Sequence, residues 1–239
     1  MKPFHLSFFF FLMISFSLMA QTNDPTYQEE ATILETEGGQ IHGTLLTPSN
    51  IKQPPVVFIH AGSGPTDRNG NNPMMTNNSL KMLAESLAEA GIASLRFDKR
   101  GVAGSTGAAK AESDLRFETY IDDATQLIKQ LKADNRFSKV LVLGHSEGSL
   151  IGMVATRQGE ADGFISIAGA GKKAGDVLKE QIAAQGPMAT QLTSPIIDSL
   201  EARKTVEDVN PMLASLFRPS VQPYLISWFK YDPQEEIKN

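Results

Sequence analysis

Ser146 lies in the pentapeptide Gly144-His145-Ser146-Glu147-Gly148, the stretch of this chain whose residue types and spacing point most directly to chemistry. An apolar run, Val140-Leu141-Val142-Leu143, precedes it, and Leu150-Ile151-Gly152-Met153-Val154 follows with helical character. Strand, tight Gly-x-Ser-x-Gly turn, then helix is the order that lifts a serine hydroxyl clear of a sheet as a nucleophile. So sharp a turn presses strand and helix together, and only residues without a Cβ fit beside the serine. The hydroxyl then stands beside the first turn of a helix, where free N–H groups and the helix dipole favour a developing oxyanion. The pentapeptide alone is short enough to arise by chance. The strand before it and the helix after it argue against that.

Other chemistries find less support. The chain has no cysteine, so a disulfide framework, a thiolate catalyst and a cysteine metal site are all excluded. It has four histidines, His5, His42, His60 and His145, and no two of them have helical ligand spacing, so no metal site is expected. A net charge of -5 argues against nucleic acid or an anionic membrane as a partner. Mild acidity is otherwise a solubility feature. At 239 residues and 41% hydrophobic composition, one globular domain with a sizeable core is expected.

The elements that must position Ser146 follow from periodicity. Tyr27 to Glu37 and Gln40 to Thr47, joined at Gly38-Gly39, read as an antiparallel hairpin. Val56-Val57-Phe58-Ile59-His60 is a continuous apolar run, as expected of a strand buried on both faces. A long loop rich in Gly, Pro and Asn runs from Ala61 to Asn78, and Leu80, Leu83 and Leu87 then mark one face of a helix. Ile92 to Asp98 is a strand, Lys99 to Gly107 a second glycine-rich loop, and Ile121, Ala124, Ile128 and Leu131 the buried stripe of a helix over 118–133. After the elbow comes one more strand, Gly163 to Ala168. Strands alternating with helices imply a mostly parallel, doubly wound α/β sheet, whose ligands bind beyond the carboxyl ends of the strands.

From Gly169 the pattern turns helical. Val177, Leu178 and Ile182, then Ile196, Ile197 and Leu200, then Met212, Leu213, Leu216 and Phe217 form stripes. Pro195 and Pro211 are expected in first turns, with Asn210 capping the second. This reads as a helical cap over the sheet edge, with ordinary peripheral helices as the alternative. Met212, Phe217 and Trp228 suggest an apolar acyl pocket, or equally the packing of the cap itself.

Residues 1–20 have the anatomy of a secretory signal: Lys2, then an apolar run from Phe8 to Met19, then Ala20 before Gln21. The run falls short of the roughly 20 apolar residues that span a bilayer, so a cleaved signal is expected rather than a stable membrane anchor. The expected division is 1–20 signal, 21–169 core, 170–239 cap and exit segment. The expected location is the periplasm or the medium.

Three segments in this order and spacing carry a resemblance: His60-Ala61-Gly62-Ser63-Gly64-Pro65-Thr66-Asp67-Arg68-Asn69-Gly70, Arg96-Phe97-Asp98-Lys99-Arg100-Gly101, and Gly144-His145-Ser146-Glu147-Gly148. Over about residues 27–239 the chain resembles the α/β-hydrolase superfamily, in particular the capped, serine aminopeptidase-like group and carboxylesterases with a Gly-Ser-Gly-Pro-x-Asp-Arg loop. The resemblance implies Ser146 as nucleophile. It implies an oxyanion hole made by the N–H of Glu147 and an N–H from Ser63 or Gly62. It implies a small-molecule ester or acyl substrate and no cofactor. His60 is expected to pack and hydrogen-bond under the oxyanion loop, and His145 to point away from Ser146. Asp67, Asp98 and Arg100 are expected to form loop-fixing ion pairs.

The chain departs from that family in one respect. The superfamily order is serine, acid, histidine, and no histidine follows Ser146 in this sequence. The triad acid and histidine, and the two strands that would carry them, are expected to be missing. A truncated chain is the first expectation, a degenerate non-catalytic hydrolase the second and a complementing partner chain the third. Esterase, peptidase and acyltransferase share the same acyl-enzyme chemistry, and an ester hydrolase is the default for this group.

Overall fold

The computed structural model describes residues 26–238. The signal-like stretch 1–20 lies outside the described residues.

Among the described residues six strands form one mixed sheet: β1 (Tyr27–Thr36), β2 (Gly39–Pro48), β3 (Val56–His60), β4 (Ala93–Phe97), β5 (Val140–His145) and β6 (Gly163–Ile167), in the order β1-β2-β4-β3-β5-β6. β1 and β2 make the antiparallel hairpin, β2 lies antiparallel to β4, and β4, β3, β5 and β6 run parallel. Every residue of β3 and of β4 is buried; the apolar run of β3 requires this, whereas β4 buries Ser94 and Arg96 along with Ala93, Leu95 and Phe97. Alternation then sorts the side chains by face. Val56, Phe58, Val140 and Val142 join one core cluster, and Val57, Ile59 and Leu143 join another.

The helices cover both faces. α1 (Ser79–Glu89) packs Ala84 and Ala88 on the second cluster, with Leu80, Leu83 and Leu87 against it. α2 (Phe117–Lys132) and α3 (Glu147–Gln158) pack on the first, α2 through Ile121, Ala124, Ile128 and Leu131. From β3 the chain moves to β4 on one side, whereas β5 lies on the other. The crevice at such a reversal is where open α/β sheets bind ligands. Cα pairing of His60 with Gly144 starts the loops after β3 and β5 at the same level. That register places the Gly62 loop beside Ser146.

The cap consists of α4 (Ala174–Ala183), α5 (Pro187–Glu201), α6 (Ala214–Phe217), α7 (Gln222–Trp228) and α8 (Pro233–Glu236). It has its own core around Ile197, Leu200, Phe217 and Leu225. Pro211 does open a short 3₁₀ turn, and Asn210 Oδ1 accepts the Met212 N–H at 3.0 Å. Pro195, by contrast, lies inside α5 rather than in a first turn, because α5 already begins at Pro187. Its ring removes one hydrogen bond from the helix interior. The burial of Ile196, Ile197 and Leu200 just beyond it carries the helix through. Among the described residues, no helix is long and apolar enough to cross a membrane.

Candidate active site

The backbone at Ser146 is strained: φ is 54° and ψ is -122°, a region that L side chains rarely occupy. Its neighbours show why the turn needs glycine. A methyl group at Gly148 would stand 2.7 Å from both Nδ1 and the carbonyl oxygen of His60, and one at Gly144 would stand 2.5 Å from Ser149 Cα. Hydrogen bonds hold the turn from several sides. The Ser146 N–H donates to the Ile167 carbonyl at 2.9 Å, and Ser149 Oγ donates to the Gly144 carbonyl at 2.6 Å. Ser166 Oγ donates to Ser149 Oγ at 3.1 Å, tying β6 to the same brace.

Gly62 rests against this turn. A methyl group there would be 3.2 Å from Ser146 Cβ and 3.0 Å from His145 Nδ1. Glu147 is the first residue of α3, so its N–H is one of the donors a helix start leaves free. Ser146, Glu147 and Gly62 are thus brought together, with Ser63 one residue further along an exposed loop. Among the described residues, Ser146 Oγ has no hydrogen-bond partner.

His60 is fully buried, and its Nδ1 lies 2.9 Å from the Ala61 carbonyl oxygen. Phe58 and Phe97 surround the ring, with centroids at 6.3 and 5.2 Å. Burial, helped by the positive charge of Lys99, pushes its pKa down to about 3. Its Nε2 has no partner among the described residues. A buried imidazole with those neighbours packs beneath the loop after β3. His145 is exposed.

The loops are fixed as charged residues at these positions suggest, with one difference. Asp98 pairs with Arg68 at 2.5 Å and also accepts the Arg68 and Gly104 N–H groups. Burial alone would raise its pKa, but the bonds from Arg68 outweigh burial and hold the carboxyl below its usual range. Arg100 grips Asp123 with two 2.6 Å bonds. Among the described residues Asp67 forms no ion pair: its Oδ1 accepts the backbone N–H groups of Asn69 and Asn71, which turns the loop on itself.

Two residues at the site were given no role by the sequence. Lys99 Nζ is buried, 2.6 Å from the Gly62 carbonyl oxygen and 3.4 Å from Glu147 Oε2. Tyr224, from α7, donates a 2.6 Å bond to Glu147 Oε1. Burial and then the Glu147 charge hold the Tyr224 phenol well above its ordinary pKa, so it remains a donor. All three residues line a cavity of about 460 Å³ that extends between Gly64, Pro65, Leu115 and Val221. Neither Phe217 nor Trp228 faces it. Phe217 is buried in the core of the cap, Trp228 stacks on Phe117 at 5.8 Å, and Met212 is 74% exposed. Phe217 and Trp228 are therefore packing groups, and from the cap it is Arg218, Val221 and Tyr224 that line the cavity.

A mixed sheet with an amino-terminal hairpin, a glycine-flanked serine between strand and helix, and a helical cap is the architecture of the α/β-hydrolase superfamily. Residues 75–222 match the family model described as serine aminopeptidase, S33, and the chain belongs to that family. It is similar to the esterase EstD of Thermotoga maritima, 30% identical over 172 residues, which are 71% of this chain and 37% of that protein. The match thus spans little more than a third of that relative's length. In fold it is similar to the α/β-hydrolase GrgF of Penicillium sp. sh18, with a TM-score of 0.56 and 16% identity over 88% of this chain and 76% of that one.

Proposed function

We propose that the protein is a serine hydrolase that cleaves carboxylic esters through an acyl-enzyme at Ser146. The observation that carries this reading is the strained Ser146 at the carboxyl end of β5, with Gly62 packed against it and the free start of α3 beside it. In the reaction, Ser146 Oγ would attack the ester carbonyl and lose its proton to a base. The oxyanion would be held by the Glu147 N–H and an N–H of the Gly62-Ser63 segment. Collapse would expel the alcohol with a proton, and water would then release the acid. The cavity beside Glu147 offers room for the substrate. The family match and the similarity to an esterase support the reading. Peptide and acyl-transfer reactions use the same acyl-enzyme.

A second reading, a hydrolase-like binding protein without turnover, is favoured by one observation. Among the described residues, no imidazole bonds Ser146, and an unactivated serine is a weak nucleophile at neutral pH. Labelling with a fluorophosphonate, read by intact mass with and without added imidazole, separates the two. A single adduct, faster with imidazole and absent in Ser146→Ala, is expected. Equal labelling of Ser146→Ala would remove Ser146 from its role, and no adduct under either condition would favour the binding protein.

We also propose export, on the composition of residues 1–20 alone. Amino-terminal sequencing of secreted or periplasmic material should begin at or near Gln21. Met1 on a membrane-bound product would reject this.

A further inference from the structure

Lys99 is held where an ammonium group has little reason to be for stability alone. Its side chain and that of Glu147 are each only 3% exposed. Lysine is almost never fully buried unless paired, and a buried pair contributes little more than well-packed apolar residues would. The backbone on either side is anchored independently, Asp98 by Arg68 and Arg100 by Asp123. The Lys99 side chain is thereby aimed inward, under the Tyr120 ring at 5.3 Å. Its shortest bond goes to the carbonyl oxygen of Gly62, at 2.6 Å.

That carbonyl and the Ser63 N–H belong to one planar trans peptide, so they point in opposite directions. Fixing one fixes the other. The Ser63 N–H has no acceptor among the described residues, and Gly62 itself rests on Ser146. The Glu147 carboxylate is clamped at both ends, Oε2 facing Lys99 and Oε1 accepting from Tyr224. Its backbone N–H is the other free donor beside Ser146.

We infer that Lys99 is a positioning residue for the oxyanion hole: it holds the Gly62-Ser63 peptide so that the Ser63 N–H serves as a donor over Ser146, and it links that peptide through Glu147 to Tyr224 of the cap. The inference rests on the reading of Ser146 as nucleophile. It selects Ser63 over Gly62 as the donor, and it makes a correctly seated α7 part of a competent site.

The test is the rate of Ser146 phosphonylation by a fluorophosphonate with imidazole present, since the phosphoryl oxygen gains charge as the bond forms. Lys99→Ala should slow the limiting rate about ten- to a hundredfold, somewhat less than loss of a whole oxyanion donor. The half-saturating reagent concentration should be unchanged. Propylammonium, which replaces the atoms removed and can enter through the cavity that Lys99 lines, should restore most of the rate. Lys99→Met, which keeps the packing volume but leaves the buried Glu147 carboxylate to Tyr224 alone, should melt at a lower temperature yet remain slow under conditions where it is fully folded. A Lys99→Met rate equal to wild type, or a slow Lys99→Ala that propylammonium does not rescue, overturns the inference while the role of Ser146 stands. If Ser146→Ala takes label like the wild type, it is the proposed function that fails. The crystal structure of Lys99→Met then decides the positioning role: a rotated Gly62-Ser63 peptide supports it, and an unmoved one overturns it.

Discussion

Tyr224 Oη lies 2.6 Å from Glu147 Oε1, so a single hydrogen bond joins cap helix α7 to the residue that follows Ser146. The carboxylate it serves is buried, and its other bond, from Lys99, is long at 3.4 Å. Tyr224→Phe keeps the ring that packs on Phe117 and Tyr120 and removes only the donor. A hydrogen bond to a charged group contributes about 1.5–3 kcal/mol, so the variant should lose stability in that range by urea unfolding. An unchanged midpoint would mean that Glu147 finds another donor.

Ser146 trades stability for exposure of its hydroxyl. A non-glycine residue in so rare a backbone conformation costs roughly 1–3 kcal/mol. Ser146→Gly should therefore raise the urea midpoint while abolishing fluorophosphonate labelling. A variant less stable than the wild type would show that the strain is relieved elsewhere.

His60 gives the fold an acid-side weakness. Its folded-state pKa, about 3, lies below the unfolded value of 6.5. Between those values the unfolded chain binds a proton that the folded chain refuses, so stability is full above pH 6.5 and falls as the pH drops toward 3. At pH 5 the loss relative to pH 7 should be roughly 2 kcal/mol. The lowered Asp98 pKa adds a loss in the same direction at lower pH. Urea midpoints at pH 7 and 5 check this, and the difference should shrink in His60→Phe, whose ring matches the aromatic surroundings of Phe58 and Phe97. An equal pH effect in that variant would assign the titration to another group.

Among the described residues, β6 pairs only with β5 and leaves its other edge open. Ile165 and Ile167 there are 40% and 41% exposed. An open apolar edge invites pairing with another chain. Residues 21–239 should self-associate in sedimentation experiments, and Ile165→Lys should shift them toward monomer. A wild-type chain that stays monomeric at high concentration would contradict this.

The sequence alone determined what local pattern can determine. The continuous apolar run of β3 announced a buried strand, the Gly38-Gly39 turn announced the hairpin, and the glycines at 144 and 148 announced a turn too tight for any Cβ. These features were legible because each depends on residues close together in the chain. The sequence also placed Ser146, Glu147, Ser63 and Gly62 on converging loops, since parallel strands in register send their carboxyl ends to one edge. Only the tertiary structure decided which distant side chains meet. Lys99 carries no signal of its own in a loop of charged residues, and Tyr224 reads as one more aromatic residue of a cap helix. They find Glu147 because β4 ends level with β5 and because Phe117 and Trp228 seat α7 on α2. The same packing turned Phe217 and Trp228 into core and left Val221 and Tyr224 facing the cavity. A helix pattern shows which residues share a face, but what that face meets is set by the chain's path through space.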